Sequence, residues 1–207
     1  MFQVIHHPLI ADELTRLRDP ACPSAEFRSR LRRIASLMVP AVTADLETHV
    51  VPCTTPLEIT SGEALSRGII LVPVLRAGLV FLDGFLDMIP QASVAHIGLA
   101  RNEKTLLPEP YYMKHPPLLS ERDIIILDPM LATGGSAIEA VRAMKEAGAE
   151  SIRFACLVAA PEGIAALESA YPDIPIHAAA VDRCLNEVGY ILPGLGDAGD
   201  RMFGTHD

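Results

Sequence analysis

Short runs of consecutive apolar residues punctuate the chain at positions 69–74, 94–99, 124–128, 154–159 and 176–181, their starts 22 to 30 residues apart. That spacing accommodates one strand and one crossover helix. The runs lack polar alternation, so they predict strands buried on both faces, as in a parallel sheet. Residues 136–147 predict one of the crossover helices. Ala137, Val141 and Met144 share a face, Glu139, Arg142 and Glu146 do not, and Gly148 is placed to stop the helix. The class is therefore α/β, with a mostly parallel central sheet flanked by helices and right-handed crossovers. The N-terminal third reads differently. Phe27, Leu31, Ile34 and Met38 recur at helical spacing, with Arg28, Arg30, Arg32 and Arg33 mostly off that stripe. An amphipathic helix packing on the sheet or on another subunit follows, within a helical segment of about residues 1–50. The arginines read as an ordinary solvated face, with an anion site as the alternative.

Composition narrows the function classes. The 207 residues, half apolar and 21% charged, suit one domain spanning 1–207 and exclude a disordered or collagen-like chain. A net charge of −9 argues against nucleic acid as partner, since phosphate neutralisation needs a basic face. The opening residues lack a secretory pattern. The most apolar stretch, 68–82, contains Arg76 and is too short for a membrane span. Cys22, Cys53, Cys156 and Cys184 have no CxxC spacing and read as reduced, mostly buried thiols. The seven histidines show no metal-ligand spacing, and His6, His7 and His206 read as exposed bystanders. A cytoplasmic protein without membrane contact is the expectation.

The chemistry concentrates in Asp128-Pro129-Met130-Leu131-Ala132-Thr133-Gly134-Gly135-Ser136. An acid ends a buried strand, and the chain then enters a helix through Thr-Gly-Gly-Ser. Gly134 and Gly135 let backbone N–H groups approach an anion, Thr133 and Ser136 add hydroxyls, and the helix expected from Ser136 directs its positive end there. A phosphate fits without the lysine of a P-loop. Asp128 is placed to accept hydrogen bonds from sugar hydroxyls. Arg76 and Arg101 each follow a predicted strand, at the edge of an α/β sheet where ligands bind. Gly194-Leu195-Gly196-Asp197-Ala198-Gly199 satisfies GxGxxG, but Pro193 precedes it and only eight residues follow, so no dinucleotide-binding crossover unit fits. Close backbone approach to a flat base is the better use of these glycines. Backbone groups of Ile191, Gly196 and Ala198 can pair with the polar edge of such a base. Residues 106–114 are too Pro-rich for a helix and read as a loop, either a flap over the site or a static surface segment.

The segment from Asp128 to Ser136 resembles the 5-phosphoribosyl 1-diphosphate (PRPP) loop of type I phosphoribosyltransferases, in a form close to that of their uracil branch. Residues 185–201 resemble that branch's uracil-binding segment, and Phe203-Gly204-Thr205 its ending. Further matches lie at 43–48, 75–78, at Arg101-Asn102-Glu103, and at 158–163, so the likeness spans about residues 7–205. Many type I enzymes carry two adjacent acids at the loop's start. Here Pro129 takes the second place, as in the uracil branch. The resemblance implies a type I fold with a flap and a C-terminal base-binding segment. It implies transfer of the phosphoribosyl group from PRPP to N1 of uracil, giving UMP and diphosphate through an oxocarbenium-like transition state. Residues 128–136 would hold the ribose 5-phosphate, Arg76 and Arg101 would face the diphosphate, and Asp128, Arg76 and Arg101 would carry the catalysis. Ile191, Gly196, Asp197 and Ala198 would bind uracil, with Asp197 also touching PRPP. Mg²⁺ would bind mainly through PRPP rather than a protein cage. Homo-oligomers and, in several members, activation by GTP are also implied; no separate residue set stands out for GTP. Two other readings stay open: a phosphoribosyltransferase for another base, and a PRPP-sensing regulator that binds RNA.

Overall fold

The computed structural model describes residues 1–101 and 108–205. The chain opens with a short strand, β1 (Phe2–Val4), then helices α1 (Pro8–Arg18) and α2 (Ser24–Val42). A hairpin, β2 (Thr48–Thr54) and β3 (Ile59–Leu65), precedes the central strand β4 (Gly68–Leu75) and α3 (Gly78–Met88). Next come β5 (Ser93–Val94), β6 (His96–Arg101), β7 (Pro108–Lys114), β8 (Arg122–Leu127), β9 (Met130–Leu131) and α4 (Gly135–Glu146). The chain closes with β10 (Ser151–Ala159), α5 (Pro161–Ala170), β11 (Ile176–Val181), the small pair β12 (Cys184–Leu185) and β13 (Ile191–Leu192), and α6 (Ala198–Phe203).

All five apolar runs lie in one nine-stranded sheet of order β1-β11-β10-β8-β4-β6-β7, with β5 beside β4 and β9 beside β10. Every pairing in it is parallel except β6 with β7. The uninterrupted hydrophobicity has a simple cause. Alternate residues of one strand enter opposite layers: Ile125 and Leu127 pack with α1, α2 and α3, whereas Ile124 and Ile126 pack with α4. The 94–99 run divides into β5 and β6. At the end of α4, Gly148 (φ +95°) donates to Lys145 O and Ala149 donates to Met144 O, a Schellman stop.

Several expectations need correction. The first residues are not part of a helical segment, because β1 pairs in parallel with β11 at the sheet edge, and Thr48 already begins the hairpin. The arginine stripe of α2 is the solvated face expected, with the Arg32 and Arg33 side chains about half exposed, and its guanidinium groups are engaged by partners within the fold. Arg30 and Arg33 both pair with Glu13 of α1, at 2.9 and 2.7 Å, while Arg32 pairs with Asp87 and Arg28 donates to Met202 O. Of the four free thiols only Cys156 is buried, and Cys53 is exposed. The expected flap loop is a strand where it is described. Pro108 to Lys114 pair antiparallel with β6, at the outer edge where a proline's missing N–H costs no ladder bond. Leu106 and Leu107, with the matched Asn102 and Glu103 and the terminal His206, lie outside the described residues. No helix among the described residues is long and apolar enough to cross a membrane.

Candidate active site

The chain leaves β4, adds β6 on one side, and returns to place β8, β10 and β11 on the other. That reversal makes the β4/β8 boundary the switch point of the sheet, where crossovers diverge and leave a crevice beyond the strand ends. A cleft of about 510 Å³ opens there. Its walls come from the ends of β4 and β6 (Ala77, Leu99, Ala100), the loop after β8 (Asp128, Met130, Ala132, Thr133, Gly135, Ser136) and the segment 188–199.

The loop after β8 is held by backbone bonds before it turns. Asp128 N–H donates to Ala155 O, Pro129 O accepts from both Leu157 and Val158, and Ala160 N–H donates to Leu131 O. β9 thereby runs parallel to β10, and buried Leu131 anchors it below the cleft. The turn itself occurs at Gly134 (φ +86°), a conformation costly for any residue with a Cβ. Helix α4 begins at Gly135, one residue earlier than the sequence suggests, and Thr133 Oγ1 lies a long 3.5 Å from Gly135 N. The first-turn N–H groups of a twelve-residue helix thus face the cleft wall formed by Gly135 and Ser136, an arrangement suited to a phosphate.

Asp128 is 9% exposed, and burial pushes its carboxyl up to about 7, opposed by a 3.3 Å hydrogen bond from Met130 N–H. Burial, with Asp128 nearby, also raises the Cys156 thiol well above its ordinary value, which keeps it protonated and inert.

Opposite the loop stands the C-terminal segment. β12 and β13 form an antiparallel pair closed by residues 186–190, where Asn186 Oδ1 accepts from Val188 and Tyr190 N–H at 3.1 and 2.8 Å. Ile191, Gly196, Asp197 and Ala198 all line the cleft, and Asp197 caps α6 by accepting from Asp200 N–H at 2.9 Å. The short α6 does open inside the GxGxxG stretch, yet no strand-to-helix crossover accompanies it.

Not every expected residue is in the wall. Arg76 sits at the rim, 60% exposed, 3.7 Å from Asp200 and over the ring of Phe203. Arg101 ends β6 beside the wall residues Leu99 and Ala100, and its side chain lies outside the described residues. Pro129, Leu131 and Gly134 shape the loop from behind. Val188, Gly189 and Tyr190, which also line the cleft, fall within the matched 185–201 stretch but were not singled out as site residues; the Asn-to-Gly turn signal at 186–189 was the available clue. It also missed Gly163 as a support. A Cβ there would meet Ala132 O at 2.4 Å, so α5 can press directly on the loop only through a glycine.

Among the described residues no group of three His, Cys, Asp or Glu is placed to hold a metal. The cleft does offer two carboxylates, Asp128 and Asp197, each with one oxygen engaged by a backbone N–H. That donor set fits Mg²⁺ carried chiefly by a phosphorylated ligand and water.

Comparison with known proteins gives a consistent outcome. A family model described as uracil phosphoribosyltransferase matches residues 4–205. The uracil phosphoribosyltransferase of Ligilactobacillus salivarius is 52% identical over 205 residues, covering 99% of this chain and 98% of the relative. That of Dictyoglomus turgidum is 50% identical over 206 residues, covering 99% and 100%. Among solved structures, the AQ2163 protein from Aquifex aeolicus superposes with a TM-score of 0.93 at 34% identity, covering 99% of both chains. Orotate phosphoribosyltransferase of Mycobacterium tuberculosis, in complex with PRPP, shares the fold at a TM-score of 0.54 and 13% identity, covering 86% of this chain and 91% of that one.

Proposed function

The chain belongs to the uracil phosphoribosyltransferase family, and from that premise we propose how its cleft performs the transfer of a 5-phosphoribosyl group from PRPP to uracil. The observation that carries the reading is the juxtaposition, across one cleft at the sheet's switch point, of the 128–136 loop and the 191–198 segment. The loop and the start of α4 take the ribose 5-phosphate through backbone N–H groups and the Thr133 and Ser136 hydroxyls. Asp128 accepts the ribose hydroxyls. Ile191, Gly196 and Ala198 present backbone groups to the uracil edge, with Asp197 between base and donor. Arg76 and Arg101 approach the diphosphate from the rim, their forked donors matched to phosphate oxygens.

In the reaction N1 of uracil attacks C1′ with inversion. The bond from C1′ to the diphosphate oxygen breaks, its electron pair leaves with diphosphate, and the N1 proton is released. Positive charge develops on the ribose and negative charge on the leaving group. The chain contributes alignment of the two substrates and compensation of that charge, with no covalent protein intermediate. Asp128 and Asp197 would hold Mg²⁺ together with the phosphorylated donor, and the ion would supply charge neutralisation for the leaving diphosphate.

The two other readings are not favoured. The 50% identical relatives carry one base in their name, and the arginines an RNA-binding regulator would use are engaged within the fold. We place the enzyme in the cytoplasm, as a single phosphoribosyltransferase domain that self-associates. The one continuous sheet supports the single domain; the hairpin β2–β3, with Val50, Leu57 and Ile59 exposed, supports self-association. Activation by GTP, which the family resemblance implies for several members, is an open alternative that the assay decides. The test is a radiolabelled-uracil assay with PRPP and Mg²⁺, with and without GTP, run beside a panel of other bases. UMP formation from uracil alone supports the reading; transfer to a different base instead of uracil overturns it.

A further inference from the structure

Arg18 and Asp182 stand 164 residues apart in sequence and outside the cleft wall, yet they close a ring around one backbone position of the base-facing segment. The Asp182 carboxylate accepts two bonds from the Arg18 guanidinium, both at 2.7 Å. The same carboxylate accepts Gly194 N–H at 2.8 Å, and Arg18 Nη1 donates to Gly194 O at 2.7 Å. Both polar groups of a single peptide residue are thereby held by one ion pair.

The ring is tied to the rigid body on both sides. Asp182 follows β11 directly, and its N–H donates to Ala159 O at the end of β10. Arg18 is the last residue of α1. Its side chain is 24% exposed and that of Asp182 only 6%, so the pair works largely out of water, where two charges persist only with complete partnering. The gripped position also has little freedom. Gly194 has φ +62°, and a Cβ would lie 2.1 Å from Ile191 O, so the chain doubles back tightly between Ile191 and Gly194. Next along, Arg201 Nη1 donates to Leu195 O at 2.8 Å while its guanidinium stacks over Phe27 at 4.5 Å. Consecutive carbonyls at 194 and 195 are therefore fixed by arginines from α1 and α6.

We propose that Arg18 and Asp182 are positioning residues for base recognition: their ring on Gly194 sets where the backbone groups of Ile191, Gly196 and Ala198 meet the pyrimidine edge. This rests on the base-binding assignment above. Backbone readers have no side chain to readjust, so a displacement of a few tenths of an ångström in the 191–198 segment weakens every contact with the base at once. The phosphate loop hangs from β8 and β10 through bonds that do not involve either residue.

The experiment compares the full-length enzyme with Arg18→Lys, Arg18→Ala, Asp182→Asn, Asp182→Ala and the double alanine variant. KM for the base and KM for PRPP are measured separately, alongside hydrogen exchange and unfolding midpoints. Each single variant is expected to raise the base KM about tenfold or more while PRPP KM stays within about twofold. Exchange in residues 191–198 is expected to accelerate about tenfold with 128–136 unchanged, and the two alanine substitutions to be strongly non-additive. Arg18→Lys, which keeps the charge but loses the fork, covers the case in which an alanine variant does not fold. Base and PRPP KM rising together with a falling midpoint, or exchange at 191–198 unaltered, overturns the proposal. If the parent enzyme takes another base, the same split is read with that base. If it transfers to none, the base assignment has failed and exchange still decides whether the ring orders the segment.

Discussion

Asp128 carries opposed demands from folding and chemistry. Its carboxyl lies at the end of a buried strand, where desolvation raises its pKa from 3.8 to about 7. An acid whose folded-state pKa exceeds its unfolded value binds protons more tightly when folded. Stability therefore declines as pH rises from about 4 to about 7, and the full penalty stands above that, on the order of 4 kcal/mol. Asp128→Asn removes the titration. Its stability relative to the parent is expected to climb between pH 4 and pH 8 in chemical denaturation, and parallel curves at the two pH values would refute the assignment of burial as the cause. The same substitution is expected to lower kcat/KM for PRPP by at least about a hundredfold, because an amide is a poorer acceptor for ribose hydroxyls. Arg76→Ala should lose comparable activity with little change in unfolding midpoint, since its side chain is mostly exposed and its contact with Asp200 is a long 3.7 Å. Steady-state kinetics beside thermal unfolding separates these outcomes, and unaltered turnover in either variant removes that residue from the site.

At the scale of elements, the phosphate loop is only as well placed as the helix behind it. Helix α5 reaches Ala132 through Gly163, and Gly134 turns against Ala166 and the Gly163 carbonyl. A methyl group at 163 would have to displace backbone, not a flexible side-chain tip. Gly163→Ala is expected to cost about 1–3 kcal/mol and to raise KM for PRPP more than KM for uracil. A stable variant with unchanged PRPP kinetics would show that the loop tolerates the shift. The loop was legible beforehand as a candidate because the phosphate binding proposed for it calls for specific residue types: an acid, two glycines and two hydroxyls in fixed order. Gly163 was not, because its reason lies in a neighbour 31 positions away. Residues 108–114 illustrate the same limit. Two prolines among seven residues argue for a loop, and only an outer place in the sheet makes them compatible with a strand.

On the scale of the molecule, the N-terminal helices act as a brace between sheet and C-terminal segment. Arg28 reaches Met202 O, Arg201 stacks on Phe27, and Glu13 gathers Arg30 and Arg33, whose guanidinium groups hold its carboxyl below the usual range. The exception to this compactness is the β2–β3 hairpin. A two-stranded ribbon is marginal by itself, and Leu57 is 95% exposed and Ile59 77%. Replacing both with lysine is expected to shift the enzyme toward monomer in sedimentation equilibrium while the domain's unfolding midpoint changes little. An unchanged association state would place the subunit contact elsewhere.

The order of residues along the chain determined the buried strands of the five apolar runs and the helix α4 with its stop, because these follow from hydrophobic runs and periodicity, and it marked 128–136 and 185–201 as candidate ligand segments through residue types and family resemblance. Which strand lies beside which, where the crevice opens, that Arg76 stands at the rim, and that Arg18 meets Asp182 were decided by the tertiary structure alone. Those facts arise from packing between distant segments, and a partner many residues away leaves no mark on the local pattern.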